Sequence, residues 1–292
     1  MLYLIYNPVA GRGRAPAALS AAIGLLDAAR AEYVVHQTNG PGHATELAAA
    51  APAGATVVAV GGDGTVHQVV KGIVSSGGAG RVLGVLPVGS GDDFAFALGL
   101  DRNDLPGAVA RLLANEAQPV DLPFVNGEPF VNALGVGFDA EVAHRLELAP
   151  QFLKGLAAYL YSVLVTLGRL RSVGVTVTVD DDEVYRGRSL VVATQNGPRT
   201  GGSFMFAPAA RLDDGALDIV LATDVGVFAT LALLPKVMRG KHLADPSVRT
   251  FRGRSVRLEW DEPRYAHADG ESLGQGTSFT VTLAAQAIRV LK

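Results

Sequence analysis

The most suggestive chemistry lies in the stretch 61-GGDGTVH-67, which directly follows the small and β-branched run 56-TVVAV-60. Glycines let backbone N–H groups approach an anion without a Cβ in the way. A helix that begins after such a loop adds the positive end of its dipole. The stretch therefore predicts a phosphate-binding loop, and a tight turn followed by an ordinary helix N-cap is the alternative.

Asp63 is the unexpected residue of this loop, because a carboxylate beside a phosphate is repelled. Its presence is reasonable if a cation lies between the two groups or if its side chain orients the loop. The loop matches neither the Walker P-loop nor the GxGxxG pattern. It indicates phosphate chemistry without fixing the class of enzyme.

Two further glycine-rich loops also follow strand-like runs. The run Leu2–Tyr6 ends in 7-NPVAGRGR-14, and the run Val82–Leu86 ends in 87-PVGSGDDF-94. In a parallel sheet the loops at the carboxyl ends of the strands line one crevice, where ligands bind. The three loops together predict a shared ligand crevice.

The elements around these loops change in character near residue 120. Before it, strand-like and helix-like runs alternate, which predicts βα units and a parallel sheet: Leu2–Tyr6, Pro16–Arg30, Tyr33–Gln37, Gly42–Ala51, Thr56–Val60, Val66–Val74, Arg81–Leu86, Asp92–Leu98 and Leu105–Asn115. After it, short strand-like runs predict an antiparallel sandwich: Phe130–Gly135, Val173–Val179, Tyr185–Ala193, Leu217–Ala222, Ser255–Trp260 and Ser278–Leu283. Gln118–Pro123 is the predicted boundary, and two helix-like segments, 152–170 and 226–239, interrupt the second half.

The amino-acid composition limits the classes of protein and of partner that are expected. The chain has 292 residues, of which 49% are hydrophobic and 18% charged, so a sizeable core is expected. The net charge of -3 gives no reason to expect a nucleic-acid partner. The absence of cysteine excludes disulfides, a thiolate nucleophile and Cys-ligated metal, and fits a reducing compartment.

No transmembrane segment is predicted. The opening MLYLIYNP lacks the basic leader of a signal peptide and is interpreted as the first strand. Between Lys154 and Arg169 lie 14 uncharged residues, which is short for a span of roughly 20. The segment 152–170 is therefore predicted to be a buried or interfacial helix.

A set of motifs in order along the chain resembles the diacylglycerol-kinase catalytic-domain family, in particular the soluble bacterial lipid kinases of the YegS/DagK type. GGDGT also occurs in NAD kinases and phosphofructokinases, but the full set is typical of lipid kinases. The set comprises 7-NPVAG-11, 36-HQTNGPGHATELA-48, 61-GGDGTVHQVVKGI-73, 86-LPVGSGDDFAFALGL-100, 120-VDLPFVNGEPFVNALGVGFDAEV-142, 207-APAARLDDGALDIVL-221, 234-LPKVMRGKH-242 and 269-DGE-271.

The resemblance implies an α/β nucleotide-binding domain of the NAD-kinase/phosphofructokinase type over residues 1–120 and a C-terminal β-sandwich lipid-binding domain over 121–283. Residues 284–292 are expected to return to the first domain, and ATP is expected in the cleft. The positions that match nucleotide contacts are Asn7, Thr38, Gly61, Gly62, Asp63, Gly64, Thr65, Val66, His67 and Ser90. The chain departs from the usual pattern at Asp92 and His67, where the family commonly has Asn, and at Ser90, where Thr is usual.

The resemblance also implies that Glu271 is the catalytic base that accepts the proton of a lipid hydroxyl. Asp269 would then orient Glu271 or serve the metal, whereas the residues alone indicate an ordinary Asp-Gly turn. Catalytic Mg²⁺ is expected with ATP, nearest to Asp63 and Asp93, and His67 is expected to form hydrogen bonds rather than to ligate metal.

A second Mg²⁺ site is implied in 211-RLDDGALD-218, with Asp214 and the carbonyl groups of Arg211 and Ala216 as ligands. On the residues alone, a solvated hairpin turn is an equal alternative.

The predicted function is an ATP-dependent lipid kinase that phosphorylates the hydroxyl of diacylglycerol or a related lipid. It is expected to be cytoplasmic and to meet its substrate at the membrane surface through apolar residues such as Leu153, Leu156 and Leu160. A second copy of the chain remains a candidate partner. The alternatives are a relative that acts on a soluble substrate, as an NAD kinase does, and a non-catalytic nucleotide sensor.

Overall fold

The computed structural model describes residues 1–148, 150, 161–162, 165–168 and 171–292. The N-terminal half alternates strands with helices, as the sequence predicts. Its elements are β1 Leu2–Tyr6, α1 Ala10–Gly13, α2 Ala15–Ala28, β2 Tyr33–Gln37, α3 His43–Ala50, β3 Thr56–Gly61, α4 Asp63–Ser75, β4 Val82–Pro87, α5 Asp93–Ala97 and α6 Leu105–Ala114.

The four N-terminal strands form a parallel sheet in which β1 lies between β2 and β3, and β3 pairs with β4. Every residue of β1, β3 and β4 is buried. Runs of small and β-branched residues suit such strands because helices cover both faces of a parallel sheet. The carboxyl ends of β1, β3 and β4 consequently lie side by side.

The C-terminal half is mainly antiparallel. Its elements are β5 Ala117–Val125, β6 Glu128–Pro129, β7 Ala133–Gly137, α7 Phe138–Glu147, β8 Val173–Val179, β9 Asp182–Gln195, β10 Leu217–Thr223, α8 Val227–Met238, a 3₁₀ turn His242–Ala244, β11 Val248–Gly253, β12 Ser255–Ala268 and β13 Glu271–Leu291. Alternate residues of β8 point into an apolar core that also receives side chains from β7, β9, β10, β12 and β13. The α/β domain and the β-sandwich expected from the sequence are confirmed.

One strand joins the two halves. The first part of β13 pairs with β12, and later residues pair with β5. Near its end, β13 runs parallel to β4, with Arg289 opposite Val82 and Val290 opposite Leu83. The described strands therefore form one 13-stranded sheet with the path β11-β10-β9-β7-β12-β13-β4-β3-β1-β2, from which β5, β6 and β8 branch.

The structure differs from the predicted elements mainly in the second half. Gln118–Pro123, expected as a boundary, belongs to strand β5. Its prolines are tolerated because β5 lies at an edge: β6 covers only Phe124 and Val125 on the side away from β13. Strands β6 and β11 and helix α7 were not predicted. Strands β12 and β13 are longer than expected because long-range pairing extends them beyond their apolar runs.

Within the described ranges, no helix combines the length and apolarity that crossing a bilayer requires. Most of the predicted helix at 152–170, with Leu153, Leu156 and Leu160, lies outside those ranges. The segment 226–239, by contrast, forms α8 close to its predicted bounds.

Candidate active site

The three glycine-rich loops meet at the carboxyl ends of β1, β3 and β4. Backbone hydrogen bonds hold them together: the N–H of Asn7 donates to the carbonyl of Val60, and the N–H of Val88 donates to that of Gly61. Gly62 is the N-cap of α4, so the first turn of this helix opens into the crevice. The sequence-predicted crevice is therefore present in the fold.

A polar cavity of about 430 Å³ occupies this crevice. Six of the predicted nucleotide-contact residues line it together with the predicted base: Asn7, Thr38, Gly62, Gly64, Thr65, Ser90 and Glu271. The side chain of Asn7 donates to the Thr65 hydroxyl at 3.4 Å. Gly61 and Val66 do not line it, because Gly61 ends the buried strand β3 and Val66 packs in the core.

A second cavity of about 420 Å³ lies next to the first, and Ser90 lines both. Most of its wall is apolar and comes from Phe138, Val142, Phe204, Phe206, Leu234 and Val237. The polar part of its lining comes from Asp63, Asp93, Asn132, Asp139, His267 and Asp269. Asp63 and Asp93 lie beside Gly91, the neighbour in sequence of Ser90, which lines both cavities.

Asp269 is buried and accepts four hydrogen bonds. Its Oδ1 accepts from the backbone N–H groups of Asn132 at 2.8 Å and Ala133 at 3.1 Å. Its Oδ2 accepts from the N–H of Val131 at 2.8 Å and bonds to Nδ1 of His67 at 2.9 Å. This saturated carboxylate fixes the turn between β12 and β13 against both the β6–β7 connection and helix α4.

The imidazole of His67 bonds through Nδ1 to the carboxylate of Asp269. Burial would lower the pKa of its imidazole, but the hydrogen bond to Asp269 and the charges of Asp269 and Glu271 outweigh burial and raise it.

Glu271 begins β13, and its carboxylate lies close to the first turn of helix α4. A Cβ at position 64 would lie 2.9 Å from its Oε1, so the missing side chain of Gly64 makes room for this carboxylate. Glu271 therefore stands at the first turn of α4, on the wall of the polar cavity.

The carboxylates of Asp63 and Asp93 both lie close to Gly91. A Cβ at position 91 would lie 2.8 Å from Oδ2 of Asp63 and 3.4 Å from Oδ2 of Asp93. Burial and the charge of Asp93 raise the pKa of Asp63 to about 7, against the lowering effect of the Phe94 N–H that it accepts at 3.1 Å. Two carboxylate oxygens beside the same glycine suit a divalent cation.

Arg199 was not singled out from the sequence, yet it connects the two halves at this point. Its guanidinium donates to Asp93 at 2.7 Å and to the carbonyl of Gly91 at 2.9 Å, and it lies 4.1 Å from the centre of the Phe96 ring. Arg199 and Asp93 lie 106 positions apart in the chain, so no local sequence pattern indicates that they form a pair.

Asp92, one of the three residues that differ from the usual family pattern, stabilises its own loop. It has a left-handed backbone with φ of 54°, and its Oδ1 accepts from the N–H of Gly89 at 2.9 Å. Its buried Oδ2 has no hydrogen-bond partner among the described residues, and burial raises the pKa of the carboxyl. An amide could supply the same Oδ1 acceptor without a buried charge.

The sequence reasoning also missed a His267–Asp139 pair in the second cavity. Nε2 of His267 lies 3.2 Å from Oδ2 of Asp139. Burial lowers the pKa of His267, but the hydrogen bond and the charge of Asp139 overcome this and raise it. Gly135 leaves space for the pair, since a Cβ there would lie 1.9 Å from the Asp139 oxygen.

The loop predicted as a second Mg²⁺ site forms a turn whose carboxylates have cationic partners. Asp214 pairs with Arg252, and Asp213 lies 2.7 Å from Nζ of Lys292. No cluster of three or more His, Asp or Glu side chains suited to a metal occurs in the part of the chain that the structure describes. Mg²⁺ held by Asp214, Arg211 and Ala216 stays a prediction, and it requires Asp214 to leave Arg252.

Two family models together match nearly the whole chain. Residues 1–125 match the diacylglycerol kinase catalytic domain, and residues 132–292 match the YegS C-terminal NAD kinase beta sandwich-like domain. Among curated relatives, a diacylglycerol kinase of Bacillus subtilis (strain 168) is 29% identical over 92% of this chain and 88% of its own length. A protein named probable lipid kinase YegS-like of Pseudomonas aeruginosa (strain UCBPP-PA14) is 31% identical over 81% of this chain and 76% of its own.

Solved structures share the fold. A crystal structure of a diacylglycerol kinase from Bacillus anthracis str. Sterne superposes with a TM-score of 0.76 at 25% identity, covering 99% of this chain and 96% of that one. An NAD kinase from Archaeoglobus fulgidus in complex with ATP gives a TM-score of 0.54 at 13% identity, covering 100% and 94%. The second likeness concerns the fold alone.

Proposed function

The chain belongs to the diacylglycerol kinase catalytic-domain family, and from this premise we propose that it is an ATP-dependent lipid kinase. The acceptor is the hydroxyl of diacylglycerol or a related lipid. The observation that carries the proposal is the pair of adjoining cavities, one polar and glycine-lined, the other largely apolar. Both have volumes usual for small-molecule sites.

The polar cavity is proposed to hold ATP. The glycine loops and the N-terminal turn of α4 favour anionic phosphates there. Asn7, Thr38 and Ser90 add polar side chains to the same wall. The γ-phosphate would then face the second cavity, because Ser90 belongs to both.

The apolar cavity is proposed to hold the acceptor. Aromatic and aliphatic side chains suit hydrocarbon, and the lining includes Gly270, the residue before Glu271, whose carboxylate suits a hydroxyl. A water-soluble acceptor with a pyrophosphate and two riboses, such as NAD, would gain little from the apolar wall. This contrast favours a lipid over the NAD-kinase-like alternative.

The proposed reaction transfers one phosphoryl group. As the lipid oxygen forms its bond to the γ-phosphorus, the bond from that phosphorus to the β–γ bridging oxygen breaks, and ADP leaves. The hydroxyl proton passes to the carboxylate of Glu271, which later returns it to water. Asp269 is a positioning residue, since its four hydrogen bonds hold the turn that carries Glu271.

Asp63 and Asp93 would hold Mg²⁺ that arrives with ATP. The ion would neutralise charge on the phosphates. With two carboxylates from the protein, the remaining ligands would come from phosphate oxygens and water, as Mg²⁺ commonly requires. Peripheral contact with a membrane from the cytoplasmic side belongs to the same proposal, because the acceptor resides in a bilayer.

The test compares Glu271→Gln with the wild-type protein, using labelled ATP and a short-chain diacylglycerol. The variant keeps the size of the side chain but removes proton acceptance, so kcat should fall by about 10²–10⁴. ATP affinity, measured by calorimetry, should hold within a few-fold. Glu259→Gln is the matched control, because Glu259 is an exposed glutamate of β12 outside both cavities.

Two outcomes would contradict the proposal. Wild-type turnover in Glu271→Gln would remove Glu271 as the base. If the wild-type protein binds ATP but phosphorylates neither lipids nor NAD across a broad panel, a nucleotide sensor becomes the better account.

A further inference from the structure

Helix α8 has an apolar face toward solvent. Phe228 is 88% exposed, Leu231 41% and Met238 51%. With the exposed Ala232 and Pro235 they recur three or four positions apart, which places them along one side of the helix. These five residues are called the α8 stripe. A solvent-facing side of a helix normally carries polar residues, so the stripe indicates a contact surface.

The other side of the same helix belongs to the apolar cavity. Leu234 and Val237 line that cavity, and Leu233 is buried. One helix therefore separates the proposed acceptor site from the surface that carries the α8 stripe. Only helix α8 lies between this surface and the cavity that is proposed to hold hydrocarbon.

The charges around α8 suit an anionic lipid surface. Within the helix, Lys236 is the one charged residue, and it pairs with Asp245 at 2.7 Å. The exposed Arg239 and Lys241 follow directly after the helix. Basic residues beside an apolar helical face are typical of helices that lie at the surface of a bilayer.

We propose that α8 is the element through which this protein contacts the bilayer, with the α8 stripe among the lipid chains and the following basic residues at the headgroups. The inference rests on the proposed function for the identity of the lipid, but the contact itself does not. In this orientation a lipid acceptor passes from the membrane into the cavity beside Leu234 and Val237.

The direct test measures binding to vesicles of phosphatidylcholine with phosphatidylglycerol. The double variant Phe228→Ser/Leu231→Ser should bind about 10–100-fold more weakly, since two apolar side chains no longer leave water. Leu113→Ser is the matched control, because Leu113 on α6 has the same 41% exposure as Leu231 but belongs to the N-terminal half. Equal vesicle binding by the double variant and the wild-type protein would overturn the proposal.

Fluorescence locates the contact independently. The chain has one tryptophan, Trp260, which is buried and supplies a constant background. A Phe228→Trp variant should show a blue-shifted emission with vesicles and quenching by brominated lipids, whereas Leu113→Trp should show neither. Unchanged emission at position 228 would overturn the proposal.

Kinetics separate this inference from the proposed function. On a water-soluble short-chain diacylglycerol the double variant should keep wild-type kcat, while on long-chain diacylglycerol in vesicles its rate should fall with its binding. If the wild-type protein phosphorylates no lipid yet binds vesicles through the α8 stripe, the proposed kinase activity is wrong but the proposed membrane contact through α8 is supported. If the double substitution only converts a dimer into a monomer and leaves vesicle binding intact, the stripe is a contact between two copies and the proposal fails.

Discussion

Replacing Asp269 with asparagine should reveal that this residue positions the site through its hydrogen bonds. Each carboxylate oxygen accepts two of them. An amide nitrogen at the Oδ1 position would face two backbone donors. At the Oδ2 position it would face the N–H of Val131 and His67, and an unprotonated Nδ1 of His67 could accept from it. The second orientation is therefore favoured, and the Val131 N–H loses its partner.

The structure sets the size of the effect. A buried donor without a partner costs about 1–3 kcal/mol, and the two bonds kept by Oδ1 each lose roughly half their strength when the charge is removed. The sum is on the order of 3–4 kcal/mol. At about 2–4 °C per kcal/mol, the melting temperature of Asp269→Asn should fall by roughly 6–15 °C, whereas Glu271→Gln should melt within about 2 °C of the wild-type protein.

His67 gives a second readout. Without the negative charge of Asp269, burial becomes the dominant influence on the imidazole, so its pKa should move from above to below the ordinary value. An NMR titration of His67 in wild type and Asp269→Asn measures this directly. An unchanged melting temperature together with an unchanged His67 titration would refute the assignment of Asp269 as the fixed point of the turn.

Three further predictions concern other positions. The pKa of Asp63 in the folded protein is raised to about 7. Its contribution to stability is therefore complete below about pH 4 and is lost as the pH rises through about 7. Differential scanning fluorimetry of the nucleotide-free protein should show the melting temperature of the wild type falling over this range more than that of Asp63→Asn. Gly64→Ala should displace the Glu271 carboxylate, lowering kcat while denaturant unfolding stays within about 1 kcal/mol. Gly135→Ala should disturb His267 and raise KM for the acceptor more than KM for ATP; an equal rise in both would contradict the acceptor site.

The sequence predicted those parts of the site that are local in the chain. A glycine loop that follows an apolar strand is enough to predict a place in the crevice, because the carboxyl ends of the strands of a parallel sheet all lie at one edge. Apart from the short α1, the elements of the N-terminal half were accordingly predicted to within a few residues. The loop of Asn7, the loop of Gly62 and the loop of Ser90 form one crevice for this reason.

The remaining parts depend on contacts that no local pattern encodes. Asp269 meets Asn132 across 137 positions, and His267 meets Asp139 across 128. From the residues alone, 269-DGE-271 resembled an ordinary turn, and only the family resemblance gave Glu271 a role. The strand β5 was missed because its prolines suggested a boundary, whereas an edge position in the sheet accommodates them.

Strand β13 explains how one turn can serve two domains. Its first residue, Glu271, lies beside the first turn of helix α4, and its last residues pair with β4 in the N-terminal sheet. Between these ends it pairs with β12 and β5 and contributes to the core of the sandwich. A rigid rotation of one half against the other would therefore have to bend this strand or break its pairing with β4. Arg199, bound to Asp93 from the opposite side of the crevice, adds a second connection at the point where the two cavities adjoin. The sheet itself thus fixes the position of Glu271 relative to the loop of Gly62, so the spacing between these two parts of the proposed site is determined by the fold.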